Sequence, residues 1–194
     1  MLKSKSIAIY LAIVTSLRKF FNISDVSRWS EINNLSPEWD ERTIIIASLV
    51  PENSNVLEFG AGRLVLRNHI PPNCRYTPSD ICDRGEGTII FDLNTRPLPN
   101  FIGYDVFVFS GVLEYVHDIP DLIEHLSEHC RFVIASYVCA TGKSLFNISR
   151  RRRSAWVNDF NSNEFKDIFH SCGFICSKEI IYNNSQLIYR FEKI

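Results

Sequence analysis

Three acidic residues, Glu58, Asp80 and Asp92, each lie at the end of a segment that is predicted to form a strand. In an open α/β sheet, the carboxyl ends of neighbouring parallel strands meet at one edge, and ligands bind there. A single acid at the end of a strand can simply cap the following helix. Three in succession are harder to explain by structure alone, and they favour a ligand-binding site.

A glycine loop follows the first of these acids. Gly60 and Gly62 lack a Cβ atom, so the backbone can adopt a positive φ and bring its N–H groups close to a ligand at the start of the next helix. A dinucleotide fingerprint requires a third glycine, which is absent after Gly62, and Glu58 would repel a pyrophosphate. The loop therefore favours a ligand with a cationic group. A nicotinamide-dependent enzyme is the alternative, and it predicts NAD binding.

The elements that must position these residues alternate between strands and helices. Helices are predicted over residues 36–50, 64–70, 118–130 and 161–172. Strands are predicted over residues 55–59, 75–80, 87–92, 105–111, 131–138, 174–182 and 186–191. This pattern predicts an α/β fold with a Rossmann-like open, mostly parallel seven-stranded sheet, helices on both faces and a C-terminal antiparallel hairpin.

Size and composition limit the domain organisation and the compartment. With 194 residues, the chain is predicted to form one domain over residues 36–194, preceded by an N-terminal helix and lid-like extension over residues 1–35. The formal net charge of -1 gives no global reason to bind nucleic acid. The six cysteines form no CxxC pair, which is typical of a reducing cytoplasm.

An apolar run over residues 7–17 is the one segment that raises the question of a membrane. Basic residues flank it, namely Lys3, Lys5, Arg18 and Lys19. The run is shorter than the roughly 20 residues of a membrane-spanning helix. Residues 1–20 therefore form either a packing helix or a helix that docks on a membrane surface or a partner.

In their order and spacing, these motifs resemble those of the class I S-adenosylmethionine-dependent methyltransferases. Residues 56–62 are similar to the acid-x-glycine-x-glycine loop of that family, and residues 76–81 and 91–93 to its second and third strand-end acids. Residues 104–116 resemble its fourth strand and the start of the following helix. The resemblance extends over residues 40–192.

The resemblance implies that the cofactor is S-adenosyl-L-methionine. Glu58 would lie near its amino group, Asp80 would accept hydrogen bonds from both ribose hydroxyls, and Asp92 would face the adenine amino group. Ser110 and Gly111 would border the reacting methyl group. The full set of implied cofactor-binding residues is Glu58, Gly60, Gly62, Asp80, Ile81, Asp92, Leu93, Ser110 and Gly111.

Methyl transfer is an in-line displacement, so the protein mainly aligns the acceptor with the methyl group, and a general base is needed only for a protonated acceptor. The candidate catalytic residues are Tyr115 and His117, with Glu114 behind them. Many family members carry a glycine at the position of Leu64 and a histidine at that of Tyr115. These departures leave a catalytically inactive binding or scaffold protein as the alternative.

The acceptor is predicted from a basic cluster at residues 150–153, which precedes Trp156. The resembling family places substrate-contacting segments here, so Arg151 and Trp156 are candidate substrate residues, although a solvated loop would have the same composition. Recognition by arginine implies an anionic group on a small-molecule or glycan-linked acceptor. Nucleic acid is disfavoured because Trp156 is the only aromatic neighbour of the cluster. The acceptor atom and the oligomeric state are left open.

The sequence predicts no metal site. His125 and His129 are four residues apart on a predicted helix and could share a metal, but Glu124 and Glu128 alternate with them, as is typical of a solvated face. Cys172 and Cys176 lack the further ligands that a zinc site requires.

Overall fold

A computed structural model of the chain describes residues 2–85 and 87–194, so Met1 of the predicted extension lies outside it. The strands in chain order are β1 (Asn55–Phe59), β2 (Arg75–Asp80), β3 (Ile89–Ile90), β4 (Val106–Phe109), β5 (Phe132–Val138), β6 (Phe174–Ile181) and β7 (Gln186–Lys193). They form a seven-stranded sheet in the order β3-β2-β1-β4-β5-β7-β6. The neighbours from β3 to β5 are parallel, and β7 pairs antiparallel with both β5 and β6. The predicted sheet with its closing hairpin is confirmed.

The α-helices in chain order are α1 (Leu2–Phe21), α2 (Val26–Ser30), α3 (Asp40–Ala47), α4 (Ile119–Ser127), α5 (Leu145–Arg153) and α6 (Ser162–Ser171). Asn161 and Glu164, three residues apart in the sequence, predict a capping pair at the start of α6, and the structure contains it. The Asn161 side chain accepts from the backbone N–H of Glu164, whose carboxylate accepts from the Asn161 N–H in return.

Apolar residues of alternating strand positions bury the sheet on both faces. On one face, Phe59 and Phe107 pack in a cluster with residues of α4 and α6. On the other, Val56 and Val106 pack with Ile46 of α3. Side chains of successive strand residues point to opposite faces, so β4 is a continuous apolar run and β1 is apolar except at Asn55 and Glu58. This two-sided burial leaves the strand ends as the place for polar groups.

Several segments differ from their predictions. Residues 64–70 form no α-helix but only a 3-10 turn at Leu66–Asn68, and Leu64 has a φ of 59°, which is incompatible with helix initiation there. Residues 36–50 begin with a 3-10 turn before α3, which ends at Ala47. The basic cluster is not a loop but the last turn of α5. The Ser144 side chain caps this helix by accepting from the Asn147 N–H.

The capping box of α6 should stabilise the fold measurably. We expect Asn161→Ala to lower the free energy of unfolding by about 1 kcal/mol, because it leaves helix N–H groups unpaired. Urea denaturation measures this, with Asn163→Ala on the same turn as the control. An equal loss in both variants would contradict a specific role for the cap.

Candidate functional site

A cavity of about 610 Å³ lies at the carboxyl ends of β1, β2 and β4. All the residues predicted to bind the cofactor line it, namely Glu58, Gly60, Gly62, Asp80, Ile81, Asp92, Leu93, Ser110 and Gly111. The candidate residues Tyr115, His117 and Trp156 also line it, whereas Arg151 does not. The structure thus gathers segments 20 to 100 residues apart in the sequence around one space.

Two glycines are required by the close packing of the cavity wall. Gly60 has a φ of 69°, and a Cβ atom there would lie 2.4 Å from Cγ2 of Val112. Gly111 has a φ of 71°, and a Cβ atom would lie 2.6 Å from Nη2 of Arg42. Both the backbone conformation and the available space therefore exclude a side chain at these positions. The two glycines thus let the side chains of Val112 and Arg42 pack directly against the backbone of the cavity wall.

Glu58 is buried at the end of β1 and lacks a cation partner among the described residues. Its Oε2 accepts a hydrogen bond of 2.5 Å from the Tyr76 hydroxyl. Burial raises the pKa of Glu58 to about 8, and the nearby Asp80 adds to this, while the bond from Tyr76 opposes it. Without a cation within reach, Glu58 is therefore mainly the neutral acid at pH 7.

Asp80 already accepts several hydrogen bonds within the protein. Its Oδ2 accepts from the Gly62 N–H at 2.9 Å, and its Oδ1 from the Cys82 N–H at 3.1 Å. Nη2 of Arg84 reaches the same Oδ1 at 3.0 Å and the Trp29 carbonyl at 2.6 Å. A carboxylate has about four acceptor positions. Two ribose hydroxyls can therefore bind Asp80 together only if Arg84 moves away.

Asp92 is held by the segment that precedes α2. Its Oδ1 accepts from the Ser24 hydroxyl at 2.8 Å and from the Asn94 N–H at 2.9 Å. The Asn94 side-chain oxygen in turn accepts from the His117 N–H at 2.8 Å. The third strand-end acid is thereby fixed relative to both the N-terminal extension and the segment after β4.

Among the candidate bases, His117 has the most suitable protonation state. Burial lowers its pKa, although Asp92 and backbone contacts at Ile23 and Lys19 oppose this, so the ring is neutral at pH 7. Its Nδ1 is buried and has no hydrogen-bond partner among the described residues. A neutral imidazole with a free nitrogen can accept a proton.

Tyr115 and Glu114 are less suited to that task. Burial raises the pKa of Tyr115 to about 12, so its hydroxyl stays protonated, and it accepts from Nε1 of Trp156 at 3.3 Å. Burial also raises the pKa of Glu114, against the attraction of Arg42 and Arg151. Its Oε1 accepts from the Val138 N–H, and its Oε2 has no partner in the described part of the chain.

Aromatic side chains form much of the wall opposite the glycines. All three tryptophans of the sequence, Trp29, Trp39 and Trp156, line the cavity. The ring of Trp29 meets that of Tyr115 edge-on at 4.8 Å and that of Trp39 at 6.5 Å. These rings present flat apolar surfaces, with the Tyr115 hydroxyl among them.

Arg42 is the main cavity residue that the sequence motifs do not single out. Its Nη2 donates to the Ser110 carbonyl at 3.1 Å and its Nε to the Ser110 hydroxyl at 3.2 Å. Thr43 also pairs with that hydroxyl, at 2.8 Å. The only sequence signal is a basic residue between Trp39 and Thr43, at helical spacing on the face that packs inward.

Arg151 instead supports the cavity from behind. It is 5% exposed and donates to the carbonyls of Asn158 at 2.9 Å and Val138 at 2.7 Å. Its guanidinium also lies 4.9 Å from the ring centre of Trp156. Because its donors are used within the protein, it positions Trp156 rather than facing a substrate.

The described part of the chain brings together no group of three or more His, Cys, Asp or Glu side chains that could hold a metal. His125 contacts the Pro99 carbonyl through Nε2 at 2.9 Å, and its ring meets that of His129 edge-on at 5.4 Å.

A family model described as a methyltransferase domain matches residues 32–178, which are 147 of the 194 residues. No curated protein matches the sequence significantly.

Solved structures with the same fold include a putative O-methyltransferase from Nostoc punctiforme, with 15% identity and a TM-score of 0.65 over 86% of this chain and 60% of that one. The Burkholderia thailandensis 1,6-didemethyltoxoflavin-N1-methyltransferase, with bound 1,6-didemethyltoxoflavin and S-adenosylhomocysteine, has 14% identity and a TM-score of 0.64 over 93% and 88%. Human N-acetylserotonin methyltransferase in complex with SAM has 16% identity and a TM-score of 0.62 over 86% and 55%. The chain spans only 54% to 60% of the length of several matched structures.

The raised pKa of Glu58 should appear as a pH-dependent stability of the ligand-free protein. A carboxyl whose pKa is higher in the folded state stabilises the fold at low pH, and this contribution is lost as the pH rises from about 4.5 to about 8. We expect the difference in free energy of unfolding between the wild type and Glu58→Gln to change by up to about 1.4 kcal/mol per pH unit in this window.

Urea denaturation at several pH values measures the effect. The control is Glu52→Gln, which changes an exposed glutamate three residues before β1 begins and should leave the wild-type pH dependence unchanged. A constant difference between wild type and Glu58→Gln from pH 5 to pH 8 would show that Glu58 is ionised in the empty cavity.

Proposed function

We propose that this chain, which belongs to the methyltransferase domain family, transfers a methyl group from S-adenosyl-L-methionine to a small-molecule acceptor. S-adenosyl-L-methionine is the cofactor of this family. The observation that carries the proposal is the convergence of Glu58, Asp80 and Asp92 with the Gly60 backbone on one cavity. Bound there, the cofactor supplies an activated methyl group on a sulfonium.

The described residues fit this cofactor in charge and in shape. Gly60 and Gly111 both line the cavity and expose backbone rather than side chains to it. Glu58, which is neutral in the empty cavity, becomes a favourable partner for an ammonium group once it ionises. Asp80 would bind the ribose after displacement of Arg84, and Asp92, two residues beyond the end of β3, would bind the adenine.

Trp29, Trp39 and Trp156 line the cavity, and such a lining favours an acceptor with a flat or largely apolar body. Arg42 also lines the cavity, which favours an acceptor that carries a carbonyl or anionic group. A glycan-linked acceptor, whose sugar rings also stack on tryptophan, would use the same walls. Two structures of the same fold come from enzymes named for small molecules, 1,6-didemethyltoxoflavin and N-acetylserotonin.

In this proposal, His117 removes the proton from an acceptor that carries an O–H or N–H group. The ring is neutral at pH 7 and lines the cavity. Its Nδ1 is buried without a partner among the described residues, so a bound acceptor must displace part of the wall to reach it. Tyr115, whose hydroxyl stays protonated, orients the acceptor as a hydrogen-bond donor instead.

Ser24 and Trp29 also line the cavity, which supports a lid role for residues 1–35.

We favour an active enzyme over an inactive scaffold because the loop geometry is retained. Leu64, at the position where many relatives have glycine, adopts the left-handed conformation that glycine would adopt.

We place the reaction in the cytoplasm, since all six cysteines are free thiols. Among the described residues, no helix is both long and apolar enough to cross a membrane.

Cofactor binding should depend on Asp80. Calorimetric titration with S-adenosylhomocysteine is expected to show an affinity loss of about 10- to 100-fold in Asp80→Ala, because hydrogen bonds to a charged group are lost. The control is Asp83→Ala, which changes an exposed acid in the same loop. Unchanged affinity in Asp80→Ala, or no binding by the wild type, would contradict the proposed function.

The assignment of His117 as base predicts a loss of kcat with cofactor affinity retained. We expect His117→Ala to lower kcat about 100-fold toward an acceptor with an ionisable proton. The wild-type kcat should fall as the pH is lowered below the ordinary histidine value of 6.5, because the ring must be neutral. His69→Ala, at an exposed site, is the control. Wild-type kcat in His117→Ala would assign the proton transfer to another group.

A further inference from the structure

The N-terminal helix α1 carries its large apolar residues on its outer side. Ile9, Ile13, Leu17 and Phe20 are 55%, 54%, 51% and 81% exposed and share one face at helical spacing. The less exposed side of the helix carries small residues, with Thr15 buried. In a helix that only packs on its own domain, the large apolar residues would face inward. The exposed apolar residues of α1 therefore favour contact with a surface outside this domain.

Helix α5, which packs against α1, continues this surface. Leu145 and Phe146 in its first turn are 87% and 72% exposed. Arg150 and Arg153 are exposed on the same face, since these four positions fall within an arc of about 140° at 100° per residue. We call the outer faces of α1 and α5 the α1–α5 surface. It combines exposed apolar side chains with exposed arginines.

The basic residues of this surface differ in whether they have an acid partner. Residues 2–24 and 139–158 contain several Lys and Arg but no Asp or Glu. Arg18, Lys19 and Lys143 pair with acids outside these ranges, namely Asp25, Asp159 and Glu164. In the described part of the chain, no ion pair engages Arg150 or Arg153. The buried Arg151 and Arg152 of the same cluster, by contrast, pair with Asp159. Arg150 and Arg153 are thus exposed beside an apolar face and have no acid partner among the described residues.

We propose that the α1–α5 surface docks the protein on an anionic phospholipid membrane. Exposed Ile, Leu and Phe side chains enter the boundary between headgroups and acyl chains, while Arg150 and Arg153 bind lipid phosphates. A second copy of the chain is disfavoured because it would bring like charges together without acids to pair them. Since Thr15 and Arg18 of α1 also line the cavity, docking brings the rim of the cavity close to the bilayer.

Sedimentation of the full chain with vesicles tests this proposal. We expect binding to phosphatidylcholine vesicles with about 30% phosphatidylserine, at least about tenfold weaker binding to pure phosphatidylcholine, and release by high salt. The double variants Leu145→Ser with Phe146→Ser, and Arg150→Gln with Arg153→Gln, should each weaken binding about tenfold or more.

Control variants at equally exposed apolar residues away from this surface are Ile102→Ser and Ile181→Ser, at 73% and 76% exposure, and these should bind as the wild type does. Unchanged melting temperature and S-adenosylhomocysteine affinity in the double variants show that the fold is intact. No binding to anionic vesicles, equal binding to neutral ones, or equal loss in the controls would overturn the proposal. So would a stable dimer in light scattering that the same double variants dissociate.

Discussion

Glu58 is buried at the end of β1, where desolvation favours its neutral form unless a cation comes within reach. Its position follows from the sheet, whose strands are apolar on both faces and leave only their ends for polar groups. The hydrogen bond from Tyr76 holds the carboxyl in place, and it lowers the pKa of Glu58 by less than burial raises it. The cavity is thus prepared for a ligand that brings positive charge, and the other contacts of the site are arranged around this requirement.

The cofactor side and the aromatic side of the cavity are physically connected. Arg84 joins Asp80 to the Trp29 carbonyl, and the Trp29 ring packs edge-on against Tyr115. Tyr115 in turn accepts from Trp156, which stacks on the buried Arg151. In the proposed complex, a ribose bound at Asp80 would displace Arg84 and thereby break its contact with the Trp29 carbonyl. One ion pair links cofactor binding to the wall that faces the acceptor.

The sequence predicted the sheet and its strand-end acids because these depend on short-range patterns, such as apolar runs ended by an acid or glycine. It predicted the α6 cap for the same reason. The roles of Arg42 and Arg151 could not be predicted, since a buried arginine differs from an exposed one only in the tertiary partners it meets. The helix expected at residues 64–70 failed because Leu64 adopts a positive φ, which local propensity disfavours and the surrounding packing imposes.

The central claim is that Glu58 changes its protonation state when the cofactor binds. Calorimetric titration of the protein with S-adenosylhomocysteine at pH 6.5, where an α-amino group is already protonated, measures this in buffers of different ionisation enthalpy. Release of about one proton per ligand in the wild type, and of none in Glu58→Gln, is the predicted result. Binding enthalpies that do not depend on the buffer, or equal proton release in both proteins, would contradict the account.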